Sequence, residues 1–328
     1  MSLRPARAMA LACIPLLLSA AATAAADYPN RPIRVVVPYA GAGTMDIAAR
    51  IVFERVSRTI GQPVLIDNRP GAGGAIGTEQ VAKSAPDGYT LVLGDPMTSL
   101  SANVSLQPSA SFDPLRDLAP VANFGSTGVA VIVTPSLPVK TLGEFVSYAK
   151  ARPGELLYGS TGNGSPGHLN GEVFAKLVGI KATHVPYRVG GQGTTDLLMG
   201  RVHFWLAQIP TRLEQVRNGQ LRALAVAGGE RSADLPDIPT VKELGYGDFD
   251  ASSTYALFGP AGLPDDVAAK LYDEIKSALA DDEVVRKLKA AGLEPKLMTS
   301  AAVTKVLQDQ IARWAQVVKE ANIKVTGQ

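Results

Sequence analysis

Cysteine is almost absent from this chain. One residue of 328 is a cysteine, Cys13, and it lies in an N-terminal stretch that reads as a cleavable leader. Without it, disulfides, a thiolate nucleophile and a zinc–cysteine centre are closed to the remainder. Histidine is nearly as scarce: His168, His184 and His203 are the three present, and none has a partner at metal-ligand spacing. His184 and His203 each fall in a predicted strand, where a satisfied structural histidine is the expectation. Net charge is missing as well. The leader holds Arg4 and Arg7 and no acid, so the 32 Lys and Arg against 30 Asp and Glu of the whole chain become 30 against 30 without it. A neutral chain with no basic block is not built for nucleic acid, whose binding rests on phosphate neutralisation. Nor does any run of about 18 apolar residues follow the leader, so no membrane span is predicted.

What is present begins with MSLRPARAMALACIPLLLSAAATAAA. A short cationic segment precedes an apolar region over residues 8–18, and Ala24-Ala25-Ala26 supplies small residues at cleavage spacing before Asp27. That is the layout of a secretory signal peptide. The expectation is an exported protein cut near Ala26 and working outside the cytoplasm. Too little apolar sequence precedes Cys13 for a lipoprotein anchor. The remaining chain, about 300 residues, suffices for one large domain or two smaller ones.

Strand and helix patterns alternate along it. Residues 33–38 (IRVVVP) form a β-branched run, and 45–60 carry apolar positions at helical spacing. Strands are predicted over 63–66, 89–94, 129–133, 156–159, 183–185, 202–207 and 223–227. Helices are predicted over 77–84, 142–151, 168–177, 191–199, 211–218, 264–280, 282–291 and 300–321. Such alternation implies mostly parallel sheets covered by helices. There are too many units for one sheet, so the fold class expected is α/β with two domains. Extended pieces at 124–135 and 249–264 mark two crossovers. The predicted division is 1–26 leader, 27–127 plus 250–328 domain one, and 128–249 domain two, with the C-terminal helices on domain one. Two crossings make a hinge that lets lobes close on a ligand.

The chemistry lies in two glycine loops. Tyr39-Ala40-Gly41-Ala42-Gly43-Thr44 joins the first strand to the first helix. Its glycines admit close backbone approach, and Thr44 is placed to cap the helix. A helix N-terminus with free N–H groups is an anion site without a cationic side chain; a tight turn that binds nothing fits this loop equally well. Gly159-Ser160-Thr161-Gly162-Asn163-Gly164-Ser165 repeats the design in the middle domain. Loops of this kind in separate lobes can grip one small anion from both sides. A dinucleotide fingerprint is imitated by Gly41-x-Gly43 and a later Asp67, but its third glycine position holds Asp46. A nucleophile elbow at Ser165 fails because Asn163 replaces its first glycine. An exported hydrolase using Ser165 and His168 stays open, since a triad needs no sequence adjacency.

Several blocks together resemble a known family, the Bug-type extracytoplasmic solute receptors of tripartite tricarboxylate transporters. They are YPNRPIRVVVPYAGAGTMDIAAR, VLIDNRPGAGGAIGTEQVAKSAPDGYTL, GSTGNGSPGHLNGEVF, HVPYRVGGQGTTDLLMGRV and FGPAGLP. The resemblance covers essentially the whole chain after the leader. It implies a two-lobed, type II-like periplasmic binding protein that closes on a small organic mono- or dicarboxylate. It also implies delivery to a two-component integral membrane transporter, with no enzymatic activity and no cofactor. The family's first carboxylate loop falls on Tyr39, Ala40, Gly41, Ala42, Gly43 and Thr44, with Asp46 at the helix start. The opposing loop falls on Thr161, Gly162, Asn163, Gly164 and Ser165, with His168 beside it. For the far end of the ligand the candidates are Met97, Thr98, Tyr187, Gln208 and Tyr255, and Tyr187 reads equally as cleft packing. Asp67 and Asn68 are expected to organise the turn at 71–77. Arg188 and Arg201 are weaker candidates for a second carboxylate. Two positions depart from the family pattern: Val189 where glycine is usual, and His203 where aspartate is frequent. A monomer is expected, and a receptor serving a sensor protein stays open beside transport.

Overall fold

The computed structural model describes residues 28–106, 112–187 and 190–321. The leader with its cleavage site, and the positions Arg188 and Val189, lie outside the described residues.

The β-branched run becomes β1, Ile33–Val37, followed by α1, Thr44–Ile60. Next come β2, Val64–Asn68, a 3-10 turn at Ala72–Gly74, α2, Ala75–Ala82, and β3, Thr90–Gly94. Then follow α3, Ser99–Leu106, the short α4, Pro114–Asp117, and β4, Leu118–Thr127. One residue later the chain is in a different sheet with β5, Val129–Val133. There it builds α5, Leu142–Lys150, β6, Leu156–Ser160, α6, Pro166–Val178, and β7, Ala182–Pro186. That sheet continues with α7, Gly190–Leu198, β8, Phe204–Gln208, a 3-10 turn at Ile209–Thr211, α8, Leu213–Arg217, and β9, Arg222–Val226. The chain then returns through β10, Ser253–Pro260, to α9, Asp265–Leu279, α10, Asp282–Ala290, β11, Glu294–Thr299, and α11, Ser300–Ala321.

Two sheets result. One has the order β11-β4-β10-β3-β1-β2, the other β7-β6-β8-β5-β9. Neither is mostly parallel, which corrects the expectation from βα alternation. β1 runs parallel with β2 and β3, and β6 with β7 and β8. β10 lies antiparallel to β3 and β4, β11 to β4, and β5 to both β8 and β9. The rule that makes neighbours parallel needs a crossover helix between them. β5 and β10 instead enter their sheets directly from the other lobe, and nothing obliges them to follow the βα direction.

Period-2 alternation sets the cores, with both sheet faces buried. Ile33, Val35 and Val37 pack toward Val52, Phe53 and Val56 of α1 and Leu271 and Ile275 of α9. Val36 and Val92 face the opposite way, against Leu100, Phe258, Val303 and Leu307. In the second sheet Val129, Val131 and Val133 share a core with Phe145 and Phe174, while Ala130 and Ile132 face Trp205 and Leu197. Phe145 meets Phe204 edge-on at 5.1 Å between ring centroids. Truncating a core phenylalanine of this kind costs about 3–5 kcal/mol.

The sequence places the C-terminal helices on domain one. α9 and α10 pack on α1, and α11 packs on α3 and β4, but α11 also reaches α6 of the other lobe. Trp314 of α11 is buried with Ala102 of α3 and Leu169 of α6 in one apolar cluster. Its indole Nε1 donates to the Met97 carbonyl at 2.9 Å.

Candidate functional site

The first loop leaves β1 at its C-terminal end and turns into α1. Gly43 is the N-cap, in extended conformation, and no side chain caps the helix. Thr44, expected as the cap, is the first helical residue and points its hydroxyl elsewhere. Its Oγ1 accepts from the Tyr255 hydroxyl at 2.8 Å and donates to Gln208 Oε1 of the other lobe. The start of α1 therefore keeps backbone donors that no capping side chain consumes.

The loop's shape comes from Asp46, which is 4% exposed. Its carboxylate accepts from Ala42 N at 3.0 Å and from Arg50 Nε and Nη2 at 3.1 and 3.0 Å. Burial alone pushes this carboxyl up, but the Arg50 guanidinium, the Ala42 N–H and Asn68 outweigh it and hold it below the usual range. Asp46 is thus a prop beneath the loop. Asn68 donates to the Tyr39 carbonyl at 3.2 Å and accepts from Arg50 at 3.2 Å, so it holds the first loop and not the 71–77 turn. Asp67 pairs with Arg34 and Arg69. Tyr39 is half-buried, with its hydroxyl against Ser99 Oγ, while Ala40, Gly41 and Ala42 are exposed.

The second loop ends in Ser165, the N-cap of α6, which also lacks a side-chain cap bond. The Ser165 hydroxyl donates back to the Gly162 carbonyl at 2.7 Å. His168 Nδ1 accepts from Gly164 N at 3.1 Å, which bends the loop over the helix start. The Ser165 hydroxyl and His168 Nδ1 are thus each committed to the backbone of the loop. His168 stacks on His184 at 4.0 Å, and His184 Nε2 meets Ser160 Oγ at 2.6 Å. Burial holds His168 down at about 4. Burial first, then the neighbouring His168, holds His184 at about 3. Both are neutral at ordinary pH. His203 accepts from Leu157 N at 2.9 Å, a structural role, as its strand position implied.

The turn at Ala72–Gly74 lies between the two loops, and the Tyr39 hydroxyl donates to the Gly73 carbonyl at 3.5 Å. A Cβ placed on Gly73 would lie 2.8 Å from the Gly164 carbonyl carbon, so the turn after β2 touches the second loop directly. Asn103 Nδ2 donates to the Gly73 carbonyl at 3.5 Å, and its Oδ1 is buried without a partner. Thr44, Gln208 and Tyr255 join the lobes at the other side of the loops.

The remaining candidates are more committed than the sequence suggested. Thr98 donates to Asp95 Oδ2 at 2.6 Å, and Met97 is half-buried with its N–H on Asp95 Oδ1 at 3.0 Å. Asp95 itself, missed in the sequence, is buried and pushed up by that burial, and it ties β3 to Thr254 of β10. Tyr187 is 7% exposed; its ring stacks on Trp205 at 5.8 Å and its hydroxyl donates to Asp196 at 2.9 Å. Arg201 is exposed and paired with the same Asp196 at 3.0 Å. Thr161 is exposed, and Gly162 and Asn163 are half-buried.

Residues 48–323 match the profile described as Tripartite tricarboxylate transporter family receptor. Protein BugT of Bordetella pertussis is 38% identical over 306 residues, 93% of this chain and 94% of that protein. A solved Rhodopseudomonas palustris protein with adipate is 34% identical, covers 91% of this chain and 99% of that one, and superposes with a TM-score of 0.84. MatC from Rhodopseudomonas palustris with bound malate is 32% identical, covers 89% and 100%, and gives 0.82. These are solute-binding proteins, not enzymes, and the periplasmic binding protein BugD shares the fold at a TM-score of 0.84. With that match spanning most of its length, the chain belongs to the tripartite tricarboxylate transporter receptor family.

Proposed function

We propose that this chain is a periplasmic receptor that closes its two lobes on a small organic carboxylate and hands it to a two-component membrane transporter. One observation carries the reading: two glycine loops, each opening a helix that no side chain caps, lie on either side of one turn, Ala72–Gly74, that touches both across the seam between the sheets. One carboxylate placed between them takes N–H donors from both helix starts, where the helix dipoles favour negative charge. The first lobe contributes residues 39–44, with Asp46 as prop; the second contributes 161–165, with His168 shaping the loop. Gln208 and Tyr255 border the seam through Thr44, and Met97, Thr98 and Tyr187 are the candidates for the far end of the ligand. The relatives with adipate and malate support this class of ligand. The division into 27–127 plus 250–328 and 128–249, joined by two crossings, supplies the hinge. The leader is removed near Ala26, and the receptor works as a monomer.

A thermal-shift panel on refolded, ligand-stripped protein tests the reading. Ligand at 100 times its Kd stabilises the folded state by about 2.7 kcal/mol. Stabilisation by carboxylates, with the compound recovered unchanged, is the expected result. Stabilisation by sugars or peptides while carboxylates do nothing would sink it.

A further inference from the structure

Arg212 is a cation without an answer. It is 6% exposed, yet no Asp or Glu among the described residues pairs with it. Its Nη1 reaches only the carbonyl and hydroxyl of the adjacent Thr211, at 3.2 and 3.0 Å, and its Nε is buried with no partner at all. The guanidinium lies over the Trp205 ring at 4.8 Å. A buried charge lacking a counter-charge is costly, and proteins rarely keep one unless something arrives to meet it.

Its location says what arrives. Arg212 ends the 3-10 turn Ile209–Thr211, directly after β8. That turn is wedged in the lobe seam: Gln208 before it bonds Thr44, and Pro210 within it packs so closely on Gly292 that a Cβ there would lie 2.4 Å away. Trp205, beneath the guanidinium, lies under the second loop. Its ring covers Gly159, and its Nε1 would be 3.4 Å from a Cβ on Gly167 in the first turn of α6. Arg212 therefore sits on a turn that touches both lobes, over the tryptophan that packs beneath the second loop.

We infer that Arg212 forms a second anion subsite in the seam, taking the distal carboxylate of a dicarboxylate whose first carboxylate lies between the glycine loops. The inference rests on the receptor reading above and deepens it. A planar guanidinium offers five donors and meets a carboxylate bidentately, and Nε is among the donors now unused. Burial lowers its pKa to about 10, which leaves it charged at neutral pH. The cleft then separates dianions from monoanions: a ligand without the second carboxylate leaves the guanidinium unmet. The arginines singled out in the sequence do not supply this charge, since Arg201 is exposed and paired with Asp196 and Arg188 lies outside the described residues.

Titration calorimetry on the ligand-stripped protein tests this with adipate, malate and succinate, each against its monomethyl ester. The wild type is expected to bind at least one diacid about 10- to 100-fold tighter than its ester, the range of a charged hydrogen bond. Arg212→Gln should lose that preference while binding of the ester stays within about threefold. Arg212→Lys, a point charge without the fork, should keep part of it. Equal wild-type affinity for every diacid and its ester overturns the assignment without any variant, so misfolding of Arg212→Gln does not shelter it. Retention of the full preference by a folded Arg212→Gln overturns it too. If neither diacids nor esters nor other carboxylates bind the wild type, the receptor reading fails and takes this inference with it. Binding of diacid and ester alike fails Arg212 only.

Discussion

Gly73 allows closing to be separated from folding. Its backbone has φ 63°, and an added Cβ would lie 2.8 Å from the Gly164 carbonyl carbon, 2.9 Å from its oxygen and 3.1 Å from the Asn163 carbonyl oxygen. All three are backbone atoms of the opposite lobe, so no side chain can swing away. Gly73→Ala therefore has two effects. The left-handed backbone costs an L-residue about 1–2 kcal/mol whether the lobes are apart or together. The clash acts only when they meet. Moving the lobes apart by the several tenths of an ångström needed also loosens the Thr44–Gln208 contact, which crosses between them. One such interaction at about 1 kcal/mol corresponds to roughly fivefold in Kd. Gly61→Ala is the matched control, because Gly61 ends α1 at φ 78° with nothing within 4 Å of an added Cβ. Urea unfolding and calorimetric titration of both variants decide the matter. Both should lose similar stability, and only Gly73→Ala should lose about fivefold or more in affinity. Equal affinity in the two would mean that the Gly73–Gly164 approach plays no part in the bound state.

Three further outcomes follow from named contacts. Thr44→Val strips the hydroxyl shared by Tyr255 and Gln208, and leaving these groups unmet should cost about 1–3 kcal/mol, read as a lower urea midpoint and weaker ligand binding; an unchanged midpoint and Kd would refute it. His168 and His184 are held near 4 and 3 against an ordinary 6.5, so the unfolded chain binds more protons in that interval. Stability is full above about pH 6.5 and falls as pH drops toward 4; thermal melts across the window should show the decline, and His184→Gln should flatten it, whereas an identical slope would rule the pair out as its source. Trp314→Ala empties the cluster that joins α11 to Leu169 of the other lobe and removes the bond to Met97, for an expected loss of about 3–5 kcal/mol in urea unfolding; a loss under about 1 kcal/mol would show that α11 docks without it.

How far the sequence revealed this protein depended on where each signal is stored. β1, α1, β5 and α6 were legible because their apolar spacing is local and unbroken. α3, Ser99–Leu106, was not, since SLSANVSL has scant amphipathic contrast and is held as a helix by α11. β4 carries Pro120 and Gly125, residues that argue against a strand. The irregular β10 register admits the proline, which pairs with Phe258 beside a register shift. β11 hides behind Pro295 in the same way, at the sheet edge and with its own shift before Met298. Strand direction was misread for a different reason: it depends on which lobe the chain has just left. The glycine loops could be found because a loop that brings backbone to a ligand must be written in small residues. Arg212 could not, because a sequence shows a charge but not whether another group answers it. Thirty-two basic residues look alike in the chain; burial over Trp205 without a carboxylate sets this one apart, and that condition exists only after β8 and the seam have been assembled.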